Sequence, residues 1–133
     1  MGASTSVPAR VGKLSGLRVL VAEDVWVDAD LLCVILMEEG ATVLGPFNTA
    51  AKAIEVVRNE EVDLALVDME LADAFADDLA AEINAHSVPY AIITGFRALP
   101  SNADADAIGV LRKPYTSKAL IDLLTRDRGR DPP

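Results

Sequence analysis

The sequence predicts a single α/β domain in which a parallel five-stranded sheet carries helices on both faces. Three observations lead there. First, short apolar runs of strand length alternate with helical stretches over residues 17–124, the signature of βαβ units. Second, Val62, Leu64, Ala65, Leu66 and Val67 form a nearly unbroken apolar run, which reads as a strand buried on both faces. Third, the chain has 133 residues, 51% apolar and only 5% aromatic, which suits one domain with an aliphatic core.

Each element has its own signal. Leu17–Ala22 reads as the first strand, with Glu23 and Asp24 at its carboxyl end. Val27–Glu39 has a helical pattern, and Gly40 stops it in the C′ position. Ala41–Leu44 is the second strand, closed by Gly45-Pro46. Thr49 can cap a helix over Ala50–Asn59. The Val62 run is the third strand and ends in Asp68. Ala74–Ala85 reads as a helix with Asp73 as its candidate cap. Pro89–Thr94 is the fourth strand. Arg97–Ala107 shows no clear period, and its one large apolar side chain, Leu99, precedes Pro100, so the segment is expected to be mobile or a single short turn. Ile108–Leu111 is the fifth strand, followed by Lys113-Pro114. Thr116 or Ser117 caps a last helix to Leu124, with Ala119, Leu120, Leu123 and Leu124 on one face. Residues 1–15 are expected to be a flexible lead-in, 16–126 the folded domain and 127–133 a flexible tail. Right-handed crossovers then give a doubly wound, flavodoxin-like (βα)5 sheet in the order 2-1-3-4-5.

Charge and composition exclude several functions. Twelve basic residues against 21 acidic give a net charge of −9, which argues against a nucleic-acid surface. The lone Cys33 sits in an apolar run and supports no disulfide framework or cysteine metal site; a buried, inert thiol is expected. No stretch reaches membrane-spanning length and no secretory signal is visible, so a cytoplasmic protein is expected.

The strand ends carry the chemistry. In a parallel sheet Glu23-Asp24, Asp68, Thr94 and Lys113 all fall on the carboxyl edge, where ligands of open α/β sheets bind. The carboxylates there repel one another, and a hard divalent cation such as Mg²⁺ would compensate. Lys113 can pair with Asp68 or a phosphoryl oxygen, and the Thr94 hydroxyl can donate to one. Asp68 can act as a carboxylate nucleophile that forms an aspartyl-phosphate. Singly, each residue has a bland reading as a turn or strand-end residue; together, at the correct strands, they specify a phosphoryl site.

With these residues in view, the chain resembles a response-regulator receiver domain over about residues 17–125. The stretches Ile92-Ile93-Thr94-Gly95-Phe96 and Leu111-Arg112-Lys113-Pro114-Tyr115 are similar to the FAT GUY subgroup, with Ile-Ile where that subgroup carries Phe-Ala. The resemblance implies Asp68 as phosphoacceptor, with Lys113 and Thr94 at the phosphoryl group. It implies Mg²⁺ held by Asp24, Asp68 and the backbone carbonyl of Glu70, with Glu23 helping through water. Its implied partner is a sensor histidine kinase or histidine phosphotransferase, with a downstream protein target, no nucleic acid or membrane, and a monomer or weak homodimer. The chain is expected to be a stand-alone receiver that is not an enzyme beyond its own phosphotransfer and dephosphorylation. Val110 stands where many receivers have an aromatic residue, and Ala72 where many have proline. The route by which phosphorylation is read out must therefore differ, and the 97–107 segment, with Phe96 and Leu99, is the expected bistable element.

Two other readings stay open on the residues. An aspartyl-nucleophile phosphohydrolase would want a second Asp two residues after the first, where this chain has Glu70. A flavodoxin-like cofactor binder would want a phosphate loop after the first strand, where the residues are Glu23-Asp24-Val25-Trp26.

Overall fold

A computed structural model describes residues 12–95 and 106–126. The strands are β1 (Arg18–Ala22), β2 (Thr42–Phe47), β3 (Leu64–Asp68), β4 (Tyr90–Thr94) and β5 (Gly109–Arg112). Between and after them lie the helices α1 (Trp26–Glu38), α2 (Ala50–Asn59), α3 (Ala76–Ala85) and α4 (Ser117–Arg126). All strand pairs are parallel, in the order β2-β1-β3-β4-β5, the doubly wound sheet expected from the alternation.

The two-residue period of the strands sorts their side chains into two cores. Val19, Val21, Leu64, Leu66, Ala91 and Ile93 pack with Leu32 and Leu36 of α1 and Leu120, Leu123 and Leu124 of α4. Leu20, Ala22, Ala65, Val67 and Ile92 face the other way, onto Ala53 and Val57 of α2 and Leu79 and Ile83 of α3. Every residue of β3 and β4 is buried, which is why those segments read as continuous apolar runs. Side chains such as Leu79 and Ile83, fully buried, each contribute about 1.5–3 kcal/mol by leaving water.

Four local features differ from the expectation. β2 does not close at Gly45-Pro46 but continues to Phe47. Gly45 has φ +102°, and a Cβ there would lie 2.8 Å from the Phe47 nitrogen and 2.9 Å from the Val21 oxygen. Only glycine fits, and the register shift it permits re-pairs Phe47 with Ala22. Next, Asp73 does not cap α3, which begins after Phe75 without a side-chain cap. Its carboxylate instead accepts from the Ala50 and Ala51 N–H groups at 2.9 and 3.2 Å, at the start of α2, where Thr49 also accepts from Lys52. The lead-in is packed before residue 15: Leu14 is fully buried and its N–H donates to Glu39. Cys33 is half-buried, not buried, although burial still holds its thiol above the ordinary range, with Asp30 adding to the shift. The expected behaviour of the segment from Arg97 to Ala107, with Phe96 and Leu99, falls almost wholly outside the described residues, as do most of the lead-in and the tail. No described helix is long and apolar enough to cross a membrane.

Candidate functional site

The carboxyl edge of the sheet gathers acidic side chains around one ammonium group. β1 ends at Ala22, yet the Glu23 N–H still donates to the Phe47 oxygen at 2.9 Å. The strand extension past Gly45 thus fixes the Glu23 backbone. The chain then turns: the Val25 N–H donates to Glu23 Oε2 at 3.1 Å, and α1 starts one residue later. Asp68 closes β3 with only 1% of its surface exposed. Its Oδ1 accepts from the Glu70 N–H at 2.8 Å, the short-range bond by which Asp starts a turn. Thr94 closes β4, buried, with its hydroxyl donating to the Gly95 carbonyl at 3.3 Å. The Thr94 carbonyl accepts from the Lys113 N–H at 2.8 Å, which anchors Lys113 just past β5.

Lys113 reaches back into the cluster. Its Nζ lies 2.9 Å from Asp68 Oδ2, 3.1 Å from Glu23 Oε1 and 3.1 Å from Asp28 Oδ2. Glu23, Asp68 and Lys113 are therefore in direct contact, and Asp24 offers an oxygen to the same cluster, with one oxygen each from Glu23, Asp24 and Asp68 mutually within 4.8 Å. Thr94 lies at the end of the neighbouring strand. Glu70 is exposed, and its carboxylate sits over Gly95, where a Cβ would meet Oε1 at 3.2 Å. Asp28, in the first turn of α1, was not singled out from the sequence. Its position four residues after Asp24 and at the start of a helix on the same edge was the available signal, but nothing local marks a bond to Lys113.

The electrostatics follow from burial and from the surplus of acid. Burial first, then hydrogen bonding and repulsion with Asp68, push the Glu23 carboxyl up to about 8. Burial disfavours the Lys113 ammonium, but its bonds to Asp68, Asp28 and Glu23 outweigh that and hold it charged, well above its usual range. Burial and the same acids push the Tyr115 phenol up to about 12. Beside Lys113 a cleft of about 380 Å³ opens, lined by Asp28, Leu31, Gly95, Lys113, Pro114 and Tyr115.

One ammonium cannot balance these carboxylates, and the shortfall is visible at a single atom. Glu23 Oε1 is buried and receives no hydrogen bond; Lys113 Nζ is near it, but donates to Oε2 instead, at 3.3 Å. A buried acceptor without a donor is costly. All-oxygen donors, an orphaned carboxylate oxygen and a net negative charge fit a hard divalent cation.

Residues 19–125 match the model of the response regulator receiver domain. The chain belongs to this family. The transcriptional regulatory protein PdtaR of Mycobacterium tuberculosis is 32% identical over 124 residues, covering 90% of this chain and 58% of PdtaR. The chain thus spans about three fifths of that relative's length. Among solved structures, a CheY-like receiver domain protein from Methanospirillum hungatei is similar at 25% identity, 84% and 92% coverage and a TM-score of 0.74. The receiver domain of the sensor histidine kinase PA1611 from Pseudomonas aeruginosa, described with magnesium coordinated in its active-site cleft, shares the fold at 24% identity, 86% and 99% coverage and a TM-score of 0.72. Within this receiver, Val110 is 42% exposed, at the position where many members carry an aromatic side chain.

Proposed function

We propose that this receiver accepts a phosphoryl group on Asp68 from the phosphohistidine of a sensor histidine kinase or histidine phosphotransferase, and then acts by protein contact or as a phosphate sink. The observation that carries the reading is the buried Asp68 carboxylate, with Lys113 Nζ at 2.9 Å and the acidic pair Glu23-Asp24 beside it. In the transfer an Asp68 carboxylate oxygen attacks phosphorus. The bond from phosphorus to the donor breaks, and its electron pair leaves with the donor. Lys113 stays protonated throughout and pairs with the oxygens of the moving group. Thr94 supplies a hydroxyl at the end of the adjacent strand. Asp24, Asp68 and the Glu70 carbonyl would hold Mg²⁺, with Glu23 helping through water. When bound, the ion supplies charge neutralisation at the phosphoryl oxygens. The protein turns over no separate substrate; it catalyses its own phosphorylation and dephosphorylation.

The donor's helices have a surface to meet. Trp26 is 72%, Leu31 55%, Val34 48% and Met37 51% exposed, an apolar strip along α1 next to the site. Leu32 and Leu36 form the buried stripe while these side chains face outward, and exposed apolar patches of this kind mark protein contacts. Incubation with acetyl phosphate and Mg²⁺, followed by intact-mass measurement, tests the reading. One added phosphoryl group, absent in Asp68→Asn, is expected; equal labelling of that variant would overturn it.

A further inference from the structure

An ammonium group has three N–H bonds to give. In the resting site Lys113 Nζ has three acidic partners, Asp68 at 2.9 Å, Glu23 Oε2 at 3.3 Å and Asp28 at 3.1 Å. A phosphoryl group arriving on Asp68 adds oxygens that need the same donors, so one existing partner must let go. The three partners differ in what release would cost them. The Glu23 and Asp68 side chains are buried, at 0% and 1% exposure, and a buried acceptor that loses its donor bears the whole desolvation penalty. The Asp28 side chain is 38% exposed, so water can replace Lys113 at once.

We propose that Asp28 is a positioning residue that acts through Lys113: it holds one ammonium N–H in the resting state and yields it to the phosphoryl group. This rests on the phosphoacceptor reading of Asp68 and deepens it by naming a brake on that site. Asp28 competes with the incoming group and so sets how readily the receiver is charged. The release also has an outward consequence. Asp28 and Lys113 share the cleft with Leu31 and Tyr115, and Leu31 belongs to the exposed strip of α1. Breaking the Asp28–Lys113 bond frees the first turn of α1 from the segment after β5, so the state of Asp68 reaches the docking face directly. Such a route needs no aromatic side chain at Val110.

The test compares Asp28→Asn, Asp28→Ala and Asp30→Asn with the wild type. Asp30 is an exposed acid on the same helix, and its substitution removes the same charge without touching Lys113. Beryllofluoride affinity in saturating Mg²⁺ and the acetyl phosphate labelling rate are measured, with Mg²⁺ affinity alone as a third readout. A partly exposed ion pair corresponds to about a two- to fivefold change in affinity. Both Asp28 variants should therefore bind beryllofluoride about two- to fivefold more tightly and label correspondingly faster. Asp30→Asn should match the wild type. A general charge effect would appear equally at Asp30, and a structural role would lower the melting temperature without tightening binding; either result overturns the proposal. Unchanged beryllofluoride affinity in the Asp28 variants, with normal wild-type labelling, overturns it while leaving the phosphoacceptor reading intact. A wild type that is not labelled at all removes that reading and the brake together.

Discussion

Replacing Glu23 by Gln should reshape the pH dependence of stability in the metal-free protein. The wild-type carboxyl is raised from an ordinary value of 4.5 to about 8, by burial first and then by Asp68. An acid raised in the folded state favours folding fully below its unfolded value, and that contribution is lost as pH rises through the folded value. Metal-free wild type should therefore lose stability between about pH 4.5 and 8. At one pKa unit per 1.36 kcal/mol, the loss at neutral pH is roughly 3 kcal/mol. A Gln side chain keeps the shape, can turn its oxygen to Lys113 and its NH₂ to Asp68, and carries no proton to lose. Urea unfolding in a chelator reads the effect as the difference between variant and wild type, since other acids change in both. The variant should be more stable by roughly 5 kcal/mol near pH 8.5, by roughly 3 kcal/mol at neutral pH, and nearly equal near pH 4.5. Mg²⁺ should stabilise the wild type at the higher pH, because the ion replaces the proton, and should stabilise the variant less. A difference of the same size at both pH values would refute the assignment of Glu23 as the strained acid of the site.

Three further outcomes are expected. Asp24→Asn should weaken Mg²⁺ binding at least tenfold, or about 1.4 kcal/mol, through loss of one of the few protein ligands; titration followed by the fluorescence of the exposed Trp26 checks it. Val34 is 48% exposed, so Val34→Glu should change stability by less than about 0.5 kcal/mol while cutting kinase-driven transfer and sparing acetyl phosphate labelling; equal loss of both would place Val34 in the core. Asp73→Ala should speed hydrogen exchange at the Ala50 and Ala51 amides more than at any amide within α3, because the carboxylate accepts from the start of α2.

The sheet was legible because its central strands need no context. β3 and β4 are covered on both faces, so their residues must be apolar throughout, and the alternation with helices then determines their order. α2 was placed residue for residue because Thr49 caps it and Ala50, Ala53 and Val57 mark one buried face. What could not be read depends on contacts distant in sequence. Gly45-Pro46 looks like a stop, and only the partner strand shows that Gly45 lets β2 continue to Phe47. Asp73 stands where a cap for the next helix would stand, yet its carboxylate accepts from the first two amides of the preceding one. α1 is apolar on almost every side, so periodicity alone could not choose between a wide buried face and an exposed strip; the sheet and α4 make the choice by burying Ala29, Leu32 and Leu36 and leaving Leu31, Val34 and Met37 exposed. At the site, Glu23, Asp24, Asp68, Thr94 and Lys113 could be grouped because each ends a strand or follows one. Asp28 could not, since it enters from a helix and its bond to Lys113 is purely tertiary.

The most direct measurement locates the phosphoryl group itself. The receiver is phosphorylated with acetyl phosphate and Mg²⁺, the acyl phosphate is reduced with borohydride, and the digested chain is sequenced by mass spectrometry. An aspartyl-phosphate is reduced to homoserine, whereas a free carboxylate is untouched. The account predicts homoserine in place of Asp68 and an unmodified residue at Asp24, Asp28 and every other acid. Modification at another carboxylate, or an unreduced chain from protein that carries label, would contradict it.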